Sequence, residues 1–372
     1  MKKRTILYVS ASGAISGAER SLLTILDALD QAEWTPVVAA PAGDLLAEVR
    51  ARCIRTLYAP LAPLLRPRTL RAGWELVRTV RVARNAMDGL LQEINPDIVH
   101  ANTTSAMAYT TRASCPVIWQ VRDLSPIGQY GRLLYQRATR VAVISSAVRE
   151  DLLGYSLDDG EKIRLLPPAV DTDKFIPCDD NTEIRTKMGL PTDIPLIGLI
   201  AQFVPWKRHD LFLDALEQML DKKWHAVLCG ADFGHRPDYV NHLQARIAIS
   251  PLAGRVTWLP WQLDIVPFIS ALDILALTSK REPFGRALLE AMSCGKAVVA
   301  VDEGGVRDFI TAAKTGILVP AEVDELTTAL KDLLAHPKKR SQLGVAARES
   351  VIEQFNIANQ RILLTDLYRE LY

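Results

Sequence analysis

Short apolar runs rich in β-branched residues alternate with helix-length segments along this 372-residue chain. That alternation is the signature of parallel sheets covered by helices. In the first half the runs are TILYV (5–9), TPVVAA (35–40), DIVH (97–100), PVIWQV (116–121), RVAVIS (140–145) and IRLLP (163–167). In the second they are LIGLIA (196–201), HAVLCG (225–230), RVTWLP (255–260), ILALTS (274–279), AVVAVD (297–302) and GILVP (316–320). Helical segments such as HDLFLDALEQML (209–220), with Leu211, Ala215, Leu216 and Met219 on one face, separate them. Between 167 and 195 the pattern gives way to Pro- and Asp-rich sequence, which reads as a linker. The fold class is therefore α/β, with two doubly wound domains in series over 1–175 and 190–352. In such sheets ligands bind beyond the carboxyl ends of the strands, so the loops leaving the strands are where chemistry is expected, in a cleft that the two domains face.

Composition narrows the function. Lys plus Arg number 44 against 43 Asp plus Glu, a net charge of +1, which removes the basic signature of a nucleic-acid-binding protein. Five cysteines stand singly with no C-x-x-C, so neither a disulfide framework nor a zinc site is suggested and a reducing compartment is implied. The basic start MKKR precedes an apolar run of only four residues, shorter than the roughly 7–15 of a signal peptide. No apolar stretch approaches the roughly 18–20 residues that span a bilayer. A cytoplasmic location follows as the expectation, at most peripheral on the inner face of the membrane.

The stretch REPFGRALLEAM (281–292) places two glutamates, Glu282 and Glu290, either side of Phe284-Gly285-Arg286. Pro283 and Gly285 predict a loop over 280–284, and the segment to Gly295 a helix. Two helical turns put the carboxylates on the order of 10 Å apart, too far to share a proton and beyond the roughly 5–5.5 Å of a retaining glycosidase. The spacing suits the two ends of an extended ligand such as a sugar nucleotide, its diphosphate held by the N–H groups of Phe284, Gly285 and Arg286. The plainer alternative makes Glu282 a favourable N-terminal charge and Glu290 part of a solvated face.

Three more loops leave strands in this half. AQFVPWKRHD (201–210) brings Lys207 and Arg208 to a helix entrance, a point charge and a fork suited to phosphate. DEGGVRD (302–308) and CGADFG (229–234) offer glycines that let backbone amides approach a ligand, and both also fit ordinary turns.

Together, PWKRHD, CGADFG, EPFGRALLEAMSCGKAVVAVDEGG and TGILVP resemble the second domain of the retaining nucleotide-sugar glycosyltransferases of the GT-B fold, in their large family 4. SGAERSLLTIL (16–26), PDIVHANT (96–103) and VAVISSAVREDL (141–152) resemble its first domain more loosely, and 353–372 its closing helix, which crosses back to the first domain. The resemblance implies two Rossmann-like domains and no cofactor beyond a UDP- or GDP-linked sugar as co-substrate. Glu290 would hold the ribose, Glu282 the donor sugar, Lys207 the diphosphate, and the amides around Phe284 to Arg286 the phosphates and sugar. Gly17 would lie in the loop that touches the diphosphate. The chain has Gln202 where the family often has arginine, so Arg208 or Arg286 would supply the second positive charge. Arg122 stands where many relatives have histidine, followed by Asp123, and the motif leaves open which of the two lies under the anomeric carbon.

No set of His, Asp or Cys has metal-ligand spacing, and Asp171-Thr172-Asp173 sits in the linker, so a metal-independent reaction is expected. The resemblance implies that first-domain loops bind the acceptor, which makes 12–17, 102–105 and 122–125 the acceptor-side candidates. A helix from Arg68 to about Ile94 sets Arg68, Arg71, Arg78 and Arg81 opposite Leu76, Val80, Ala83 and Met87. A solvated arginine face is the plain reading, and contact with anionic lipid or a lipid-linked phosphate acceptor is the sharper one. The expected activity is sugar transfer to a hydroxyl of a glycan or lipid-linked acceptor. The rivals are a sugar-nucleotide epimerase, a non-catalytic binding subunit, and a dinucleotide oxidoreductase, the last lacking its G-x-G-x-x-G.

Overall fold

Among the described residues, thirteen strands form two all-parallel sheets. The structure is a computed structural model that describes residues 3–64, 69–124, 128–154, 161–232, 236–249 and 251–372. Arg68, Ser125 and the Phe233-Gly234 end of the CGADFG loop lie outside these residues.

The first sheet contains β1 (Arg4–Val9), β2 (Trp34–Ala40), β3 (Arg55–Tyr58), β4 (Ile98–Ala101), β5 (Val117–Val121), β6 (Arg140–Val143) and β7 (Ile163–Leu165), in the order β3-β2-β1-β4-β5-β6-β7. The second contains β8 (Leu196–Ile200), β9 (His225–Gly230), β10 (Val256–Pro260), β11 (Ile274–Leu277), β12 (Ala297–Val301) and β13 (Ile317–Val319), in the order β10-β9-β8-β11-β12-β13. The inner strands are apolar along their whole length because helices cover both faces of a parallel sheet; β1, β8 and β11 are buried almost throughout. In each sheet the chain winds one way from the first strand and the other way from the fourth. The reversal falls between β1 and β4 in one sheet and between β8 and β11 in the other, and ligands bind beside such reversals at the carboxyl ends of strands.

Two compact units follow this division, one of Met1–Ala169 with Ile357–Tyr372 and one of Val170–Asn356. Residues 170–195, expected as a linker, fold instead with the second unit. The helix Thr182–Lys187 buries Arg185, whose guanidinium donates to the carbonyls of Ala271 and Ile194 and pairs with Asp273 at 2.8 Å. An Asp- and Pro-rich stretch resembles a linker because the same residues cap helices and make turns. Asp171, in the metal-like Asp171-Thr172-Asp173, accepts the backbone N–H groups of Asp173 and Lys174 and so closes a turn.

The last helix, Ile357–Arg369, belongs to the first unit. It buries Leu364, Leu367 and Tyr368 against the core that contains Tyr8, Trp34 and Val38, and fully burying each apolar side chain contributes about 1.5–3 kcal/mol. The Tyr368 hydroxyl meets those of Tyr8 (2.8 Å) and the Nδ1 of His100 (2.8 Å). The helix Leu70–Ile94 follows its amphipathic pattern: Ala83 and Met87 are buried, whereas Arg71, Arg78 and Arg81 are exposed.

Candidate active site

The reversal in the second sheet places two loops side by side. After β8 the chain makes a short 3-10 turn, Pro205–Lys207, and Arg208 then takes a left-handed conformation (φ 50°, ψ 48°) before the helix His209–Glu217. After β11, Arg281 is also left-handed (φ 51°) and leads into Glu282 and Pro283. The loops are tied by a side chain and by backbone, since Thr278 Oγ1 donates to the Lys207 carbonyl (2.8 Å) and the Lys280 N–H to that of Trp206 (2.7 Å).

These ties bring Lys207 to Glu282. The Lys207 ammonium lies 2.7 Å from Glu282 Oε2, and only 7% of Glu282 is exposed. The same ammonium lies 4.1 Å from the centre of the Trp206 ring. Glu282 is pinned from its other side, because its N–H donates to the Glu303 carbonyl (3.3 Å) and its own carbonyl accepts the Gly305 N–H (2.7 Å). Gly304 is required there: at φ +85° an added Cβ would lie 2.1 Å from the Glu282 carbonyl oxygen. Glycine adopts this backbone without the steric cost of a side chain.

Phe284 packs into the interior with its ring 5.0 Å from that of Phe309. Gly285 (φ 102°, ψ 44°) caps the helix Arg286–Ser293. The Leu288 N–H closes the first turn on the Gly285 carbonyl (2.9 Å), and the N-terminus carries the positive end of the helix dipole. Glu290 is 5% exposed and accepts from Arg286 Nε at 2.7 Å. A solvated face for Glu290 is therefore excluded. Both glutamates are buried charges with one cationic neighbour each, and the second oxygen of each, Glu282 Oε1 and Glu290 Oε2, accepts no hydrogen bond from the described residues.

Arg208 and Arg281 converge on Glu303. Its Oε1 accepts from the Arg208 guanidinium and its Oε2 from the Arg281 N–H, both at 2.9 Å. Partial burial acts to raise the Glu303 pKa, but the Arg281 N–H, Arg208 and Lys280 outweigh it, and the carboxyl sits below its ordinary range.

The first unit gathers its own candidates at the ends of β1, β4 and β5. Helix Gly17–Ala28 starts in a capping arrangement, with Glu19 accepting from the Ser16 N–H (3.2 Å), Ser16 Oγ (2.5 Å) and Ser10 Oγ (3.1 Å). Gly17 is exposed and an added Cβ would meet nothing within 4 Å, so open space adjoins the helix entrance. Arg122 is 7% exposed and donates to the Asn102 carbonyl (2.9 Å), Asn102 Oδ1 (2.8 Å), Ser21 Oγ (2.8 Å) and Gln120 Oε1 (2.6 Å). Asp123, the next residue, is exposed.

Behind Arg122 a buried chain of hydrogen bonds reaches the last helix. Gln120 Oε1 also meets His100 Nε2 (3.1 Å), and His100 Nδ1 meets the Tyr368 hydroxyl (2.8 Å). Because Arg122 already donates to Gln120 Oε1, that oxygen accepts, and we assign the His100 proton to Nε2. Burial first, then the positive charge of Arg122, lowers the His100 pKa to about 3, so the ring is neutral.

The structure thus brings together Lys207, Arg208, Glu282, Phe284, Gly285, Arg286 and Glu290 in the second unit, and Gly17, Arg122 and Asp123 form a separate group in the first. Sequence reasoning missed Glu303, Thr278 and Glu19. Glu19 had a readable signal, the Ser16-x-x-Glu19 capping spacing. Glu303 and Thr278 had none, since their partners lie in loops that leave strands which are neighbours only through the crossover order.

Two doubly wound parallel-sheet units, with candidate sites at the strand ends, define the GT-B class. Residues 180–350 match the family model described as glycosyl transferases group 1, and residues 15–174 match that described as glycosyltransferase family 4. The chain belongs to this glycosyltransferase family. It is 26% identical to the alpha-maltose-1-phosphate synthase of Mycolicibacterium smegmatis over 64% of this chain and 65% of that protein. It is 31% identical to the D-inositol 3-phosphate glycosyltransferase of Xylanimonas cellulosilytica over 59% and 54%. The matches span about half to two thirds of these curated relatives. Among solved structures, Anabaena HepE in complex with UDP and glucose superposes with a TM-score of 0.84 over 99% of this chain and 100% of that one, at 22% identity. At that identity the likeness concerns the fold.

Proposed function

We propose that this protein is a retaining glycosyltransferase that moves a sugar from a UDP- or GDP-linked donor to a hydroxyl of a glycan or lipid-linked acceptor, in the synthesis of cell-surface polysaccharide or glycoconjugate. The observation that carries the reading is the buried Lys207–Glu282 pair beside a helix N-terminus whose second turn holds the buried Glu290. In this reading the diphosphate lies against Lys207 and the N–H groups of Phe284 to Arg286, with Arg208 or Arg286 as the second positive charge. Glu290 offers its second oxygen to the ribose hydroxyls, and Glu282 offers its own to a sugar hydroxyl.

The chemistry follows from where charge develops. As the bond between the anomeric carbon and the phosphate oxygen breaks, negative charge collects on the diphosphate, where a fixed ammonium and oriented N–H groups stabilise it without reorganising. The acceptor hydroxyl attacks from the face the phosphate leaves, and its proton passes to a phosphate oxygen, which preserves the anomeric configuration. Arg122 spends its donors on internal acceptors. We therefore assign the place beneath the anomeric carbon to the exposed Asp123, with Arg122 anchoring its loop and Gly17 leaving room for the diphosphate.

The acceptor side is assigned to the first unit. The helix Leu70–Ile94 exposes Arg71, Arg78 and Arg81 together with Trp74, which is 78% exposed. Cations with an exposed indole suit anionic headgroups or a lipid-linked phosphate, and this supports the reading that the protein works at the cytoplasmic face of a membrane. Among the described residues no helix is long and apolar enough to cross it.

A thermal-shift screen against UDP-, GDP- and ADP-sugars tests the donor assignment, because a ligand that binds only the folded state raises its apparent stability. The UDP and glucose bound by HepE make UDP-glucose the first donor to try. A sugar nucleotide that shifts the melting temperature and is consumed only with acceptor supports transfer. Interconversion of the donor without acceptor supports an epimerase, and no shift with any of them removes the proposal.

A further inference from the structure

Five non-glycine residues among those described have a positive φ, and two of them flank the Lys207–Glu282 pair: Arg208 directly follows Lys207 and Arg281 directly precedes Glu282. A left-handed conformation costs an L-residue about 1–2 kcal/mol, so something must hold each in place. One side chain does both. The two oxygens of Glu303 each take one hydrogen bond at 2.9 Å, from the Arg208 guanidinium and from the Arg281 N–H, and the Glu303 carbonyl accepts the Glu282 N–H.

We infer that Glu303 is a positioning residue for the donor site: a single carboxylate, bridging two left-handed arginines in loops from neighbouring strands, holds Lys207 against Glu282 in the arrangement that receives a nucleoside diphosphate. The inference rests on the donor reading above. Glu303 itself need not touch the ligand. Its carboxylate faces the guanidinium of Arg208, with Lys280 also near enough to act on its charge. With Glu303 removed, Arg281 relaxes toward the common right-handed or extended backbone, and Glu282 turns away from Lys207. Because the penalty at Arg281 arises from its Cβ, glycine at that position removes it and lets the loop keep its shape without the clamp.

Two measurements on the full chain test this. The first is amide hydrogen exchange over residues 278–286 without ligand, in the wild type, Glu303→Ala and the double variant Glu303→Ala/Arg281→Gly. The second is calorimetric titration of the same proteins with UDP and with GDP. Glu303→Ala is expected to speed exchange in this segment about tenfold and to weaken whichever diphosphate the wild type binds about tenfold. Arg281→Gly is expected to restore at least a third of the lost affinity on a logarithmic scale, which a general loss of stability would not allow. Where the alanine variant does not fold, Glu303→Gln keeps the volume and one acceptor, and should fall between the two. Unchanged exchange overturns the inference, as does faster exchange with unchanged diphosphate affinity or an affinity that Arg281→Gly does not recover. If the wild type binds neither UDP nor GDP, the donor reading fails with them, and exchange alone decides whether Glu303 holds the loops.

Discussion

The ammonium of Lys207 lies 2.7 Å from the carboxylate of Glu282, although 75 residues separate them in the chain. They meet because β8 and β11 are neighbours where the sheet reverses its winding, so the loop leaving each strand ends beside the other. Neither charge is well placed alone. A buried ion left without its partner is costly, and here a ligand that is anionic at one end and hydroxylated at the other would satisfy both.

Replacing Lys207 by methionine removes the partner of a largely buried carboxylate. The expected cost is about 1–3 kcal/mol of stability, discounted from the fully buried case for the slight exposure of both groups, read as a lower denaturant midpoint. Glu282→Gln, which removes the charge and keeps the shape, should cost less than Lys207→Met; the reverse order would contradict the pairing.

Thr278→Val deletes the hydroxyl that donates to the Lys207 carbonyl at nearly constant volume. One neutral hydrogen bond contributes about 0.5–1.5 kcal/mol, so a threefold to tenfold loss of diphosphate affinity is expected by titration, with Thr278→Ser recovering most of it. Equal affinity in all three proteins would show that the loop holds Lys207 without this tie.

Stability should fall in mild acid. His100 and His209 are both buried, which lowers each pKa to about 3, aided by the positive charges of Arg122 and Lys207 respectively. A histidine in the unfolded chain titrates near 6.5, so between that value and about 3 the unfolded state binds more protons. The contribution is complete above about pH 6.5 and is lost as the pH falls toward 3, amounting to about 2 kcal/mol per histidine by pH 5. Urea midpoints at pH 7 and pH 5 measure it, and His100→Gln should flatten the dependence, with His209 and His225 supplying what remains.

Tyr368→Phe removes the hydroxyl between Tyr8 and His100. Leaving His100 Nδ1 unsatisfied should cost about 1–3 kcal/mol, seen in the melting of the intact chain. If Arg122 and Asp123 keep their places through Gln120, donor affinity should not change.

Much of this architecture was legible in the sequence, and the failures have physical causes. Apolar runs such as Leu196–Ile200 and Ala297–Val301 announce strands buried on both faces. β3 (Arg55–Tyr58) was missed because an edge strand, with Arg55 and Tyr58 exposed, needs no continuous apolar run. Glu282, Gly285 and Glu290 were readable because loop, cap and helix are local, and spacing along one helix fixes distance. The contacts of Glu282 with Lys207, and of Glu303 with Arg208 and Arg281, were not, because strand order decides them. For the same reason the burial of Arg122 among Ser21, Asn102 and Gln120 had no sequence signature.

The central claim is that Lys207 serves the diphosphate and Glu282 the sugar of one donor, and calorimetric titration of a nucleoside diphosphate beside its nucleotide sugar separates the two roles. The pair to use is the one whose sugar form most stabilises the wild type in the thermal screen. Lys207→Ala is predicted to weaken both ligands by at least tenfold, whereas Glu282→Ala is predicted to weaken the nucleotide sugar about tenfold and leave the bare diphosphate within twofold. A Glu282→Ala protein that binds the nucleotide sugar as tightly as the wild type, or a Lys207→Ala protein that keeps full affinity for the diphosphate, would contradict the account.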